Sequence, residues 1–225
     1  MFTGYSDATV DFMWGIRFNN ERGWFLEHKQ EYLDHLYGPT AALAKEVYED
    51  FVGKYKDLGL ELHISRIYRD ARRLFGRGPY KDHLWFSLRR SGKWEEKPCF
   101  YFEISPEGYS YGMGFYSAKA ATMEHFRKDL DGDAADFVAM AEKLESYGKY
   151  VINGEEYARK KGNPDGILEK WYNRKRIDIE CRRPIDDLAY SPALRQEISQ
   201  SFDELMPFFL HFQKLCDREI ANQNA

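Results

Sequence analysis

The hydrophobic pattern of this 225-residue chain changes its period twice, which constrains the fold more than any other feature. Leu43, Val47 and Phe51 recur at every fourth residue, the spacing of an amphipathic helix. Residues 84–88 instead alternate between apolar and polar positions, as strands do, and helical spacing returns after Ser117. We therefore predict an α+β fold in which a central antiparallel sheet has helices at the N- and C-terminal ends.

Length and composition predict one folded domain. A chain of 225 residues can bury a substantial core, and a hydrophobic content of 43% excludes intrinsic disorder. The sequence contains no internal repeat, no low-complexity segment and no clear linker. We predict a single α+β domain over residues 1–225.

The sequence also predicts a cytoplasmic location. No run of 18 apolar residues exists, so we expect no membrane span, and the N-terminus lacks the basic and apolar regions of a signal peptide. Cys99, Cys181 and Cys216 are odd in number and widely spaced, which indicates buried thiols rather than a disulfide framework. The sequence pI of about 5.9 makes nucleic acid an unlikely partner. The sequence favours no oligomeric state.

A bare strand face is predicted in the middle of the chain. Residues 99–104 and 109–116 flank the turn 105–108, which predicts a β-hairpin. In the second strand, Gly112 and Gly114 share one face, so another group must approach the backbone closely. A packed helix and a bound ligand both remain possible occupants.

One short segment concentrates positive charge. Six cations and two acids give residues 66–82 a formal charge of +4, whereas the whole chain carries −4. The cations are Arg66, Arg69, Arg72, Arg73, Arg77 and Lys81, and the acids are Asp70 and Asp82. We call residues 66–82 the first basic segment. Guanidinium groups bind phosphate and carboxylate through two parallel hydrogen bonds, so the segment predicts a pocket for a small anionic ligand.

The expected ligand-binding residues share a cationic or aromatic side chain in or near this segment. They are Arg66, Arg69, Arg72, Tyr80, Lys81 and Trp24. Arg66 continues the alternating face of Leu62 and Ile64, so we expect it to point inward, where it needs a partner. A solvated basic face and a buried ion network are the two alternatives to a ligand site.

An enzyme that acts on such a ligand is a second hypothesis, and the sequence leaves open whether the protein is an enzyme. His83 is a candidate acid–base residue because the imidazole pKa lies near neutrality. Asp70 is a possible general base, although an ion pair with an arginine would lower its pKa and weaken it in that role. A third hypothesis is an interaction module for nucleic acid or an acidic protein, which would use a second basic segment at residues 170–183, also +4 in formal charge.

Several kinds of site have no signature in this chain. No cysteine pair or histidine pair has the spacing of zinc ligands, and no Gly-x-Ser-x-Gly motif occurs. The glycine-containing turn at 76–81 is not a Walker loop, because Pro79 removes a backbone donor and no Gly-Lys-Ser/Thr follows. We therefore predict neither a metal ion nor a cofactor.

The first basic segment resembles the signature of the bacterial and fungal family DUF2461, R-x-x-R-D-x-R-F-x-x-x-K-x-x-Y. The matching residues, in order, are Arg66, Arg69, Asp70, Arg72 and Tyr80, with Arg73 at the phenylalanine position and Arg77 at the lysine position. The pattern from Asn19-Asn20 to Trp24-Phe25 is similar as well, with Gly23 where an acidic residue is usual. The resemblance implies a single full-length domain centred on the arginine motif, and it implies no activity because the family has none assigned.

Overall fold

The computed structural model describes residues 1–223, without the side chains of Arg73 and of residues 220–223. The predicted α+β class is confirmed, because helices flank a six-stranded antiparallel sheet with the strand order β1-β2-β3-β4-β6-β5. The strands are β1 (Leu60–Ile64), β2 (Leu84–Arg90), β3 (Pro98–Ser105), β4 (Gly108–Phe115), β5 (Val151–Asn153) and β6 (Asp178–Arg183). The helices are α1 (Asp7–Phe18), α2 (Arg22–Glu27), α3 (Lys29–Glu31), α4 (Gly38–Lys54), α5 (Ala120–Gly132), α6 (Ala135–Ser146), α7 (Glu169–Tyr172) and α8 (Ala193–Gln223).

The N-terminal helices are less regular than the apolar spacing of Phe25, Tyr32 and Leu36 predicts, which is that of one helix from about residue 21 to residue 37. Asn19 and Asn20 separate α1 from α2, as asparagines at a helix end often do. The apolar spacing after them continues to Tyr37, yet the helix is interrupted at His28 and widens to a π-helix over Tyr32–Tyr37. A π-helix leads straight into α4, so the chain does not turn at Gly38.

The chain divides into two compact units, and each gathers three separate stretches of sequence. Unit 1 consists of Met1–Leu88, Tyr101–Tyr111 and Arg182–Gln200. Unit 2 consists of Arg89–Phe100, Gly112–Cys181 and the residues from Ser201 onward. The single domain over residues 1–225 stays a prediction.

In unit 1, one sheet face forms the core. Phe86 of β2 stacks on Phe102 of β3 with ring centroids 5.4 Å apart, and Tyr5 stacks on Phe102 from the other side at 6.2 Å. Because successive side chains of a strand point to opposite faces, Trp85 and Glu103 lie on the other face, where they are only partly buried. That second face adjoins the first basic segment.

In unit 2, an aromatic cluster forms the core. Trp171 of α7 stacks on Phe208 of α8 with a centroid distance of 5.4 Å and an interplanar angle of 2°. Phe137 of α6 meets the Trp171 ring edge-on at 5.0 Å. Cys99, Cys181 and Cys216 are buried free thiols, as the sequence predicts.

The predicted hairpin is confirmed, and the occupant of its bare face is neither a helix nor a ligand. Strands β3 and β4 are neighbours in the sheet and are joined by Pro106 and Glu107 alone. A Cβ atom at Gly112 would lie 2.0 Å from the carbonyl oxygen of Ile179, and one at Gly114 would lie 2.7 Å from the Cα of Asp178. The backbone of β6 therefore fills the space that the missing side chains leave.

Among the described residues, no helix combines the length and the apolar content that crossing a bilayer requires.

Candidate functional site

Backbone pairing folds the first basic segment back on itself within unit 1. The amide of Arg69 donates to the carbonyl of Pro79 at 2.8 Å, and the amide of Lys81 donates to that of Ile67 at 2.7 Å. Tyr68 and Tyr80 face each other in an isolated antiparallel bridge. The pairing brings Arg66 and Arg69 to the same end of the segment as Lys81.

Asn20 fixes the position of this paired segment. Its side-chain amide donates to the carbonyl of Tyr80 at 3.0 Å, and its Oδ1 accepts from the amide of Tyr80 at 2.9 Å. A Cβ atom at Gly78 would lie 2.2 Å from Asn20 Oδ1, so a glycine is needed for this close approach. The side-chain amide of Asn20 therefore pairs with both backbone polar groups of Tyr80, as a neighbouring strand would.

The Tyr80 side chain contributes to packing. Only 3% of Tyr80 is exposed, and its ring stacks on Phe25 with centroids 4.3 Å apart. Tyr68 contacts both rings but keeps 55% of its surface exposed. The structure therefore offers Tyr68, rather than Tyr80, as the aromatic ring that a ligand can reach.

Lys81 is the electrostatic centre of the site. Burial lowers the pKa of Lys81 to about 8, and the nearby charges of Arg69 and Arg66 act in the same direction. The carboxylate of Glu103 opposes this shift. Its Nζ lies 5.8 Å from the centroid of the Trp85 ring, within range of a weak cation–π attraction. Three cations thus converge near one carboxylate.

Arg66 is exposed, which corrects the expectation that it points inward. Strand β1 ends at Ile64, and the following residues Ser65 and Ile67 are the buried ones. The alternation of the strand therefore does not continue to Arg66. Within the described part of the chain, neither its guanidinium nor the Lys81 ammonium lies within ion-pair distance of a carboxylate.

Arg69 uses part of its guanidinium for contacts within the protein. Its Nε donates to the carbonyl of Tyr80 at 2.7 Å, and its Nη2 lies 3.8 Å from Oδ1 of Asp82. Burial lowers the pKa of Arg69, and the charge of Asp82 opposes that effect. Arg69 therefore connects the free cations to a second group of charges around Asp82.

Asp82 is the centre of that second group. Its Oδ2 accepts from Nε of Arg17 at 2.5 Å, and its Oδ1 accepts from Nδ1 of His83 at 3.0 Å. These hydrogen bonds, that of His83 foremost, hold the pKa of Asp82 well below its usual value despite burial. Arg17 also forms a bidentate ion pair with Glu107, whose pKa it lowers. His83 is thus oriented by an aspartate.

The other predicted acid–base residue, Asp70, has a local structural role. Its carboxylate accepts hydrogen bonds from the backbone amide and side chain of Arg72, at 2.8 to 3.0 Å, at the start of a short 3₁₀ turn. Arg72 has an 87% exposed side chain, so this pair lies at the surface. The side chain of Arg73, at the phenylalanine position of the family signature, lies outside the described residues.

Trp24 lies against the N-terminal helices. Its ring stacks on His28 at 4.0 Å and meets Phe12 at 5.8 Å, and a Cβ atom at Gly15 would lie 2.8 Å from it. Arg22, two residues earlier, is the member of α2 whose charge acts on Tyr80. The structure thus gives Trp24 a packing environment and does not bring it together with Lys81.

A cleft of about 480 Å³ opens beside the site on the second face of the sheet in unit 1. Glu103, which acts electrostatically on Lys81, also lines this cleft. Arg182 and Arg183 also line the cleft, and Arg183 pairs with Asp186 at 2.7 Å. The volume falls within the range typical of small-molecule sites.

Most of the second basic segment lies in unit 2, where its cations are bound to partners of that unit. Lys170 pairs with Glu145 at 2.5 Å, and Lys175 pairs with Glu155. Arg174 donates to the backbone carbonyls of Lys170 and Gly154. Arg176 donates to the backbone carbonyl of Phe115. These cations stabilise local structure.

Sequence reasoning missed three residues of the site, namely Arg17, Asp82 and Trp85. Asp82 directly precedes His83, and an acidic neighbour of a candidate histidine is a usable signal. Arg17 and Trp85 carry no such signal, because α1 and β2 meet the first basic segment only after folding. Among the described residues, no group of three His, Cys, Asp or Glu side chains is arranged to hold a metal ion.

Comparison with protein families places this geometry in a known group. The model of a family described as conserved hypothetical protein (DUF2461) matches residues 8–211. The chain belongs to this family. The match covers all the residues of the site from Arg17 to Glu107, and it confirms the family that the arginine signature indicated. A comparison with curated proteins found no match.

Proposed function

We propose that the protein binds a small anionic ligand, bearing phosphate or carboxylate, at Lys81, Arg66 and Arg69. The observation that carries this proposal is that the charges of Arg66 and Arg69 act on the partly buried ammonium of Lys81. Burial first, and then these two charges, lower the pKa of Lys81 to about 8. Like charges held together repel one another unless an anion neutralises them, so a bound anion removes an unfavourable interaction. Glu103 supplies only one negative charge to this group.

The surroundings support a ligand rather than a bare charged patch. Arg66 is exposed and unpaired within the described residues, and Tyr68 offers an accessible ring beside it. The cleft lined by Glu103 has room for the uncharged body of a ligand. In this proposal Arg66 and Lys81 hold the anion, while Arg69 holds the backbone of the site in place.

Thermal unfolding in sulfate, at constant ionic strength set with chloride, tests the proposal. A ligand at one hundred times its dissociation constant stabilises a fold by about 2.7 kcal/mol. We expect the wild type to be stabilised by sulfate, K81M and R66Q to lose most of that gain, and K45M to retain it. Lys45 is a matched control because it is exposed and pairs with Glu49.

The pH dependence makes the test specific to Lys81. Sulfate remains a dianion across this range, whereas Lys81 loses its proton around its pKa of about 8. The stabilisation by sulfate should therefore be larger at pH 7 than at about pH 9.5, where most of the Lys81 charge is gone. Equal stabilisation at both pH values, or in K81M, would exclude Lys81 as an anion ligand.

The hydrogen bond between His83 and Asp82 favours a second candidate, an enzyme that acts on the bound anion. Asp82 accepts from Nδ1 of His83 and thereby orients the ring, so Nε2 is the nitrogen available for proton transfer. The aspartate beside His83 is therefore Asp82, whereas Asp70, the other residue predicted for acid–base work, pairs with Arg72. Turnover of a ligand found by thermal shift should fall by about 100-fold or more in H83Q. Unchanged turnover in H83Q would remove this candidate.

A further inference from the structure

Unit 2 contains a buried arginine, Arg127, with one guanidinium nitrogen that has no hydrogen-bond partner. Arg127 lies on the buried face of α5 with 9% of its surface exposed. Its Nη1 is buried without a hydrogen-bond partner, and within the described residues no carboxylate pairs with its guanidinium. A buried charge without a partner is costly, so its presence calls for a reason.

The neighbouring acids of the same helix are bound elsewhere. Glu124, one turn before Arg127, pairs with Lys128 at 2.8 Å. Asp131, one turn after it, accepts from the hydroxyl of Tyr172 at 2.9 and 3.0 Å. Both acids therefore have hydrogen-bond or ion-pair partners other than Arg127, and Glu124 interacts with Arg127 only through its charge.

A second cation lies over the same aromatic ring as Arg127. The Arg127 guanidinium carbon is 5.3 Å from the centroid of the Tyr157 ring, and Nζ of Lys161 is 4.7 Å from the same centroid. The two cations are thus at most about 10 Å apart. Arg159 and Lys160 add two more exposed cations to the same loop.

The loop that contains Lys161 is held in place by a buried asparagine. Oδ1 of Asn173 accepts from the amide of Lys161 at 2.7 Å, and its Nδ2 donates to the carbonyl of Gly162 at 3.0 Å. A Cβ atom at Gly162 would lie 2.6 Å from the Tyr172 ring, so the loop runs directly over that ring. The position of Lys161 relative to Arg127 is therefore fixed by the fold.

We propose that Arg127 and Lys161 form a second anion site, which binds the phosphate group of a small molecule beside Tyr157. Two cations match a dianion, and the guanidinium can bind two oxygens of one phosphate at once. The narrow exposure of Arg127 favours a compact anion over an extended dicarboxylate. This site is independent of Lys81.

Thermal unfolding of the full chain in phosphate at pH 8, against chloride of equal ionic strength, tests this site. The K81M/R66Q double variant is used as the background so that the proposed site in unit 1 does not contribute. We expect a saturable rise in melting temperature with phosphate, its loss in R127M, and about tenfold weaker binding in K161M. K128M, on the same helix, should behave like the background.

The outcomes are separable. R127M removes an uncompensated charge with a chain of similar length, so we expect it to fold; if it does not, the exposed K161M variant carries the test. Tighter binding of phenyl phosphate than of inorganic phosphate would identify a phosphate ester as the ligand, and equal binding would identify the free ion. The proposal fails if phosphate has no effect beyond chloride, or if R127M or K161M retains the full shift.

Discussion

The two basic segments have the same formal charge, but their cations differ in whether folding gives them partners. In the second segment, four of the six cations lie in unit 2 and all four are occupied there by carboxylates or backbone carbonyls. In the first segment, Arg66 and Lys81 have no ion pair among the described residues. The difference teaches that local net charge does not identify a binding site. What matters is whether folding supplies each cation with a partner.

The first basic segment itself contains both kinds of charge. Around Asp82, the charge of Arg17 is paired and the ring of His83 is hydrogen-bonded, whereas Lys81 keeps an unfavourable charge one residue earlier. Substitutions that remove one charge at a time should therefore differ in sign as well as size.

The largest effect is expected for Asp82→Asn. This change leaves Arg17 without part of its carboxylate pairing and should lower the free energy of unfolding by about 3 kcal/mol at pH 7. Because the folded pKa of Asp82 lies below its ordinary value, this contribution is present above about pH 4 and is lost as the pH falls further.

Urea unfolding of the wild type and D82N at neutral and acid pH measures this contribution. The gap between the two should shrink toward about pH 2, and a constant gap would argue against the ion pairs as its cause. The matched control is D70N, whose exposed pairing with Arg72 predicts a change within about 0.5 kcal/mol.

A smaller loss is expected for Arg174→Met in the second segment. The hydrogen bond to the carbonyl of Gly154 is partly buried and is worth about 2 kcal/mol, whereas the one to the carbonyl of Lys170 is exposed and adds little. We therefore expect R174M to lower the free energy of unfolding by about 2 kcal/mol in total. Chemical denaturation provides the measurement. K175M, which breaks only an exposed pair with Glu155, should lose less than about 1 kcal/mol. If R174M were neutral, the contrast between the segments would not hold.

Lys81→Met should raise the free energy of unfolding, whereas the two preceding substitutions lower it. Since the folded pKa of Lys81, about 8, lies below its ordinary 10.5, the charged form disfavours the fold at neutral pH. Replacing the lysine should raise stability at pH 7, and the gain should decline as the pH rises from about 8 to 10.5. Denaturant midpoints across that range check the sign, and a loss of stability at pH 7 would contradict it.

The smallest effect is expected for Arg72→Gln. Arg72 is almost fully exposed and already pairs with Asp70, so we expect stability to change by less than about 0.5 kcal/mol. Sulfate stabilisation should also be unchanged, in contrast to R66Q. Calorimetric titration with sulfate would compare the two variants directly, and weaker binding in R72Q would return Arg72 to the ligand set.

Much of the fold was predictable because apolar spacing reports which face of an element is buried. The period of Leu43, Val47 and Phe51 identifies α4, and the alternation over residues 84–88 identifies β2. The same rule was wrong for Arg66, because a strand boundary depends on pairing with other strands and β1 ends two residues earlier. The rule also could not show that His28 interrupts a helix whose apolar spacing continues to Tyr37.

The sequence predicts which segment contains the candidate site, but it does not predict which side chains contact one another there. The charge of residues 66–82 and the arginine signature are visible in the sequence, and both point to the segment that contains the candidate site. The pairing of Asp82 with Arg17, and the placement of Trp85 beside Lys81, join residues from separate elements. Sequence spacing carries no information about such contacts.

By itself, the sequence determined the α+β class, the DUF2461 signature and the position of the cationic segment, since each depends on residue types at short spacing. The tertiary structure alone decided that β6 covers Gly112, that Tyr80 is buried, and which cations keep an unbalanced charge. The physical reason is that desolvation and charge pairing are properties of a folded neighbourhood. An arginine next to a glutamate in space and one without a partner can have identical neighbours in sequence.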